Sequence, residues 1–392
     1  MRISNDLLIK AEIRVLLIGT PLVYAVSDII GNTALYSLKD ILMLLITAQI
    51  LVSVLLNHTP LPRTNVILFM VLVLYIVASS LARLEDTTFW LINIREVLVT
   101  PTMLLIIGFY VRKNMQLVPT IWRSLFFTCF LTAAYSLAFK STSYGLTGRM
   151  RSFWDREHEP SIIGGLLIVT TLLMLSESER TFKLYAFSAF AVGMALYCMI
   201  QSKSRSPLIA TAVAIAVLYM DEIREFMDFK KTIILFIGLG AFVYILSHYT
   251  EITGRDLDYN TSARENQYEM AWELISAHPV FGIGIDKYGV LSGNTKVFTY
   301  GDYSTTTMDS TLIKYTLNLG MVYVALAALL FLQVFKEFRK VNKKLLSIIA
   351  FGLAIGCVTG KLGAYPLNQY FYLVAGFGLF YDVSEDPYIE TT

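Results

Sequence analysis

Apolar residues fill the chain in long blocks, and polar residues gather in the intervals between them. The hydrocarbon core of a bilayer is ~30 Å thick, which a helix of about 20 mostly apolar residues can cross. Twelve blocks meet or approach that length: 13–31, 35–56, 64–82, 90–111, 119–139, 161–176, 183–200, 206–220, 230–248, 308–332, 345–362 and 367–381. The sixth, eighth and twelfth are short and are expected to extend into their loops. The pattern predicts an all-α fold, a polytopic integral membrane bundle of about twelve helices. One large loop, 249–307, interrupts it and carries a short amphipathic helix. No small-residue cleavage site follows the first block, which is therefore expected to stay as an anchor.

Composition excludes the main alternatives. The chain is 55% hydrophobic and 16% charged, against about 25% charged for a soluble domain. So little charge would leave a soluble fold without a polar shell. The net charge of +2 gives no basic footprint for nucleic acid. Cys129, Cys198 and Cys357 each lie inside an apolar block and read as small apolar groups. No zinc spacing occurs, and neither a metal nor a cofactor is expected. The organisation reads as one membrane domain, 1–392, with a basic and aromatic outer loop at 140–160 and the large outer loop at 249–307.

Lysine and arginine set the direction of insertion. Seventeen of them fall in the N-terminal segment and the even-numbered intervals or at the block ends beside these, and eleven in the odd-numbered intervals. The bias puts both termini in the cytoplasm and the large loop outside. The outer basic residues oppose that bias and concentrate in 140–160, 201–205 and 249–307, where an anionic ligand would account for them.

Three outer segments follow from this. Gly148-Arg149-Met150-Arg151-Ser152-Phe153-Trp154-Asp155-Arg156 alternates cations with aromatics. Guanidinium forks suit phosphate oxygens and aromatic faces suit sugar rings; an interfacial belt is the other reading. Glu159 closes this segment. In Lys203-Ser204-Arg205-Ser206-Pro207, Ser206 is expected as N-cap and Pro207 as first helical residue. Arg205 would then stand at the positive end of a helix, a site for an anion. In the large loop, Ser262-Ala263-Arg264-Glu265 fits a capping box. Tyr268, Ala271, Trp272 and Ile275 then share one face, expected to pack on the bundle or membrane surface. The helix should end near His278-Pro279.

Ionisable residues inside the blocks are costly and point to function. Arg95 and Glu96 lie just below the outer end of the fourth block, where they line a polar cavity or brace helices. Asp309 opens the tenth block, as a helix cap or a general base, with Lys314 about one turn below it. Lys39 and Lys361 read as snorkelling side chains.

The order of these features resembles the O-antigen polymerase and ligase superfamily. The carriers are a Gly-Arg…Glu-Pro loop and Ser-Arg-Ser before a block. Arg264 and Trp272 follow, then His278-Pro279-Val280-Phe281-Gly282-Ile283-Gly284 and Leu319-Gly320. The resemblance covers roughly residues 140–332. It implies a membrane glycosyltransferase acting on undecaprenyl-diphosphate-linked oligosaccharide donor and acceptor at the outer face of the bacterial inner membrane. Membrane lipids and a chain-length regulator protein would be its partners. Polymerases of this kind often carry an arginine with a glycine sixteen positions later. Arg149 and Gly165 fit, and the second outer loop has no such pair. Ligases usually open the span after the large loop with a His-Asn-like pair. Met308-Asp309-Ser310 has no histidine, which favours a polymerase over a ligase. The resemblance implies Asp309, Arg264 and Arg205 as catalytic residues. Arg149, Arg151, Trp154, Arg95, Glu159, His278 and Lys314 would bind substrate. A lipid-linked sugar flippase is a further alternative, but no internal repeat is evident and the ionisable residues cluster at one face.

Overall fold

A computed structural model describes residues 5–30, 35, 37–57, 63–114, 117–140, 159–177, 181–221, 258–287, 289–291, 294–296, 298–300, 303–305, 310–341, 343–359, 362 and 366–379. The helices are α1 (Asn5–Ile30), α2 (Ser37–Leu56), α3 (Arg63–Ala82), α4 (Thr87–Ile94), α5 (Thr100–Lys113), α6 (Val118–Tyr135), α7 (Glu159–Glu177), α8 (Phe182–Gln201) and α9 (Ser206–Leu218). After them come α10 (Asp258–Ala277), α11 (Thr311–Leu319), α12 (Met321–Val341), α13 (Leu346–Val358) and α14 (Leu367–Leu379). Among the described residues, seven helices are long and apolar enough to cross a membrane. The architecture is that of a polytopic helical membrane protein. The expected ninth span, 230–248, lies outside the described residues, as do Arg149, Arg151, Trp154, Asp309 and Lys361.

Contacts divide the bundle into two ends. At one end, Lys314 reaches Glu96, Arg95 reaches Asp40, Tyr135 reaches Asp28 and Thr311 reaches Thr359. At the other, Tyr110 reaches Asp6, Asn65 reaches the Leu379 carbonyl and Lys344 reaches the Ser176 carbonyl. The large loop belongs to the first, here called the loop end. α5 and α14 pack closely because glycines face each other's backbones. A Cβ at Gly108 would strike the Leu373 carbonyl, and one at Gly376 the Leu105 carbonyl. Small residues at such contacts let helix backbones approach in lipid. Tyr370, fully buried, ties α14 to α6 by donating to Ser124 Oγ at 3.1 Å.

The short helices reach only part of the way across. α9, α13 and α14 each have 13 residues, about 20 Å of helix, less than the ~30 Å of a hydrocarbon core. α7 is longer than the block 161–176 suggests, starting at Glu159 and ending at Glu177.

The tenth block, 308–332, is not one helix. It breaks at Gly320, which has φ +82° and ψ 176° and separates α11 from α12. A break in a helix leaves backbone groups without intrahelical partners. The segment following α10 satisfies them here. Ile283 N–H donates to the Leu317 carbonyl at 2.9 Å and Gly284 N–H to Asn318 at 3.1 Å, while Met321 N–H donates to Pro279 at 2.7 Å. From α3, Tyr75 donates to the Leu319 carbonyl at 2.6 Å and contacts Val280, and Ser79 donates to Phe281 at 2.8 Å. The His278–Gly284 motif is thus a structural plug in a broken helix.

α10 differs from expectation in two ways. It starts at Asp258, so Ser262 is not its cap and Arg264 lies beyond the first turn. Its buried stripe is Gln267, Met270, Ala271 and Leu274, whereas Trp272 is 70% exposed and Tyr268 36%. Met270 and Leu274 form a small core with Ile283 and Leu317, partly covered by Ile275. The face rests on the plug and the end of α11. Beyond it, two antiparallel hairpins occur that the apolar pattern gives no sign of: Gly289–Leu291 with Asn294–Lys296, and Phe298–Tyr300 with Tyr303–Thr305.

Candidate functional site

A row of charges crosses the loop end. Asp40, in the first turn of α2, pairs with Arg95. The next residue, Glu96, pairs with Lys314 of α11 at 3.0 Å. Arg95 and Glu96 open a π-helical turn, Arg95–Val99, in which Thr100 N–H donates to the Arg95 carbonyl five residues back. Such turns recur at functional sites, and this one lets consecutive side chains serve different helices. Lys39 is largely covered, 5.8 Å from the Tyr24 ring centroid and 3.9 Å from Asp40, and does not snorkel. Of the two readings for Arg95 and Glu96, the contacts are those of helix braces. Arg95 nonetheless keeps 60% of its side chain exposed.

A second group forms around the starts of α7, α9 and α11. Gly165 of α7 lies against both α9 and α13, since a Cβ there would come within 2.5 Å of Thr211 Oγ1 and 2.8 Å of Phe351 Cε2. Gly165 is therefore a helix-packing residue, not part of a loop. That contact fixes the register, bringing Glu159 and Arg205 to the same level at the loop end. The C-terminal end of α13 reaches this level too, and Thr311 N–H donates to its Thr359 carbonyl at 3.1 Å. Ser310 caps α11, its Oγ accepting from Ile313 N–H at 3.3 Å and donating to the Cys357 carbonyl at 2.9 Å. Three helix N-termini, two of them side by side, thus open at the loop end, where the helix dipole favours anions.

Arg205 itself occupies the cap position of α9, and Ser206, mostly buried, is the first helical residue. The expected serine cap is one residue out because the α8–α9 turn is folded inward. Ser202 and Ser204 are buried, and Lys203 takes φ +51°. Glu159 is 1% exposed. His278 is half-buried just past α10, and its carbonyl accepts from Gly282 N–H at 3.1 Å. Arg264 is placed only as a residue of α10.

The family model described as O-antigen ligase matches residues 189–322. The match makes this segment similar to that family. It runs from α8 to the first residues of α12, and so contains Arg205, Arg264, His278, the plug and Lys314. No curated protein matches the chain. Activity of the O-antigen ligase and polymerase type is membrane glycan transfer, which fits a polytopic bundle whose charges collect at one end.

Sequence reasoning missed three residues that hold this end together. Asp40 is the partner of Arg95. Tyr75 staples the plug. Asp286, fully buried, accepts from Glu85 N–H at 2.8 Å and Asp86 N–H at 2.7 Å, while neighbouring Lys287 pairs with Glu85. An acid two residues after Gly284 is the only local signal for it. Cys357 is exposed on α13, while Cys129 and Cys198 are buried.

Proposed function

We infer that the chain is a polysaccharide polymerase of the O-antigen type. It would move a growing glycan from undecaprenyl diphosphate onto a lipid-linked repeat unit. The setting is the periplasmic face of the bacterial inner membrane, with both termini in the cytoplasm. The observation that supports this reading is Arg205 at the N-terminal end of α9, inside the matched segment. The missing histidine at Met308-Asp309-Ser310 favours polymerase over ligase.

The acceptor hydroxyl oxygen bonds to the donor's anomeric carbon as the bond from that carbon to the diphosphate oxygen breaks. The electron pair leaves with the diphosphate, and the hydroxyl proton passes to a base. Guanidinium groups and helix N-termini would stabilise the leaving charge. Arg205 and Arg264 are assigned that role, and Arg149, Arg151 and Arg95 would hold further phosphate oxygens. Lys314 would do the same, and Trp154, Glu159 and His278 would contact sugar. Asp309 is assigned as base, since Ser310 takes the capping role at α11. A chain-length regulator would act with the polymerase.

The test is a lipopolysaccharide gel from a strain lacking this gene, complemented in turn with wild type, Arg205→Ala and Arg264→Ala. The expected result is a core bearing one repeat unit in the deletion strain. The ladder returns with wild type and stays absent with either variant at normal membrane levels. A bare core with long chains on the carrier would make the protein a ligase, and a normal ladder with Arg205→Ala would remove that residue from the mechanism.

A further inference from the structure

The tip of the plug faces outward. Val280 and Phe281 are both exposed, although they follow α10 and belong to none of the span-length helices. The Phe281 ring stacks on Tyr75 of α3 with centroids 6.2 Å apart, and its carbonyl accepts from Ser79 one turn further along. On the other side, Pro279 accepts from Met321 N–H at the start of α12. The tip is therefore seated between α3 and α12. Leu74 and Leu81 of α3 are exposed two turns apart, and so are Val322 and Leu329 of α12. These are the apolar stripes by which the two helices meet hydrocarbon. The exposed tip continues them at the loop end.

α10 carries a second apolar edge besides the stripe that rests on the plug. Tyr268 and Trp272 are exposed, and half-buried Ile275 stands beside Trp272 by helical spacing. Glu269 and Glu273 are also exposed, each about 100° further round the helix. The helix thus has a face on the plug, an aromatic edge and an acidic face. A patch of large apolar side chains open to water marks a contact surface. Tryptophan and tyrosine are enriched where a bilayer meets water, with the ring body in an apolar layer and the polar tip hydrated. The acids point away from that edge, where they avoid lipid phosphates.

We propose that the Tyr268–Trp272–Ile275 edge and the Val280–Phe281 tip sit in the bilayer interface at the loop end, against the head groups and upper acyl chains of phospholipid. The plug fixes α10 to the bundle on one face, and lipid covers the adjoining edge. Together they hold α10, the helix that carries Arg264, at head-group depth. The occupant is the bilayer because the tip is continuous with the lipid-facing stripes of α3 and α12.

Trp272 is its own reporter. The chain has four tryptophans, so Trp90→Phe, Trp122→Phe and Trp154→Phe together leave it alone. The full-length variant is reconstituted in phosphatidylcholine vesicles. Part of the lipid is spin-labelled at the head group, brominated near the top of the acyl chains, or brominated near their ends. Trp272 should lose most of its emission to the head-group and shallow quenchers, and little to the deep one or to iodide in the water. Quenching by iodide without quenching by any lipid would put the edge in water. Shielding from both would put it under protein, whether a second copy or another chain. Strongest quenching by the deep bromines would put it in the hydrocarbon core. Each of these three results overturns the proposal. If the triple variant does not fold, the difference between wild type and Trp272→Phe gives the same readings. None of them depends on glycan transfer, so the proposal and the polymerase reading fail separately.

Discussion

Arg95 and Glu96 are neighbours in sequence and serve different helices, one facing Asp40 of α2 and the other Lys314 of α11. Their presence inside an apolar block was legible, because charge in a membrane span is costly. Their partners were not, since Asp40 is 55 positions from Arg95 and Glu96 is 218 from Lys314. No local period links residues so far apart. Glu96 is 41% exposed, so the protein covers the pair only in part. A double-mutant cycle with Glu96→Gln and Lys314→Met, read by unfolding of the purified protein, should give a coupling of no more than ~1 kcal/mol. A coupling several times larger would mark the pair as a main support of the bundle. Asp286 should matter more, because it is fully buried and accepts two backbone N–H groups. Asp286→Ala should cost about 3 kcal/mol, and Asp286→Asn, which keeps one acceptor oxygen, distinctly less. Thermal midpoints of the two variants check the order.

Among elements, the apolar blocks anticipated where helices lie but not where one breaks. Gly320 sits inside the block 308–332, and a glycine there looks like any small packing residue. Its backbone conformation is one that essentially only glycine adopts, and the groups freed at the break are satisfied by residues some forty positions upstream. Gly320→Ala should therefore cost about 1–3 kcal/mol in backbone strain. The added Cβ would also strike the Val280 carbonyl. A thermal midpoint equal to wild type would show that the break is not fixed as described. The α10 helix carries a similar lesson. Stripes starting at Gln267 and Tyr268 differ by one residue, about 100° around the helix. Hydrophobicity alone favours the stripe containing Trp272. Packing against Ile283 and Leu317 selected the other, a choice set by the plug and invisible in the local pattern.

For the whole molecule, the distribution of charge along the chain pointed to one functional end, and the contacts bring Asp40, Arg95, Glu96, Lys314, Glu159 and Arg205 to it. Which reaction occurs there depends on the acceptor, and an acceptor leaves little trace in composition or helix pattern. Polymerase and ligase share the donor and the leaving diphosphate, so the residues that stabilise it do not separate them. The central claim is tested most directly with purified protein in vesicles given a single lipid-linked repeat unit as both donor and acceptor. The account predicts a ladder of longer glycans still attached to the carrier lipid, lost in Arg205→Ala. No elongation by wild type, with transfer appearing only when lipid A-core is added, would contradict it.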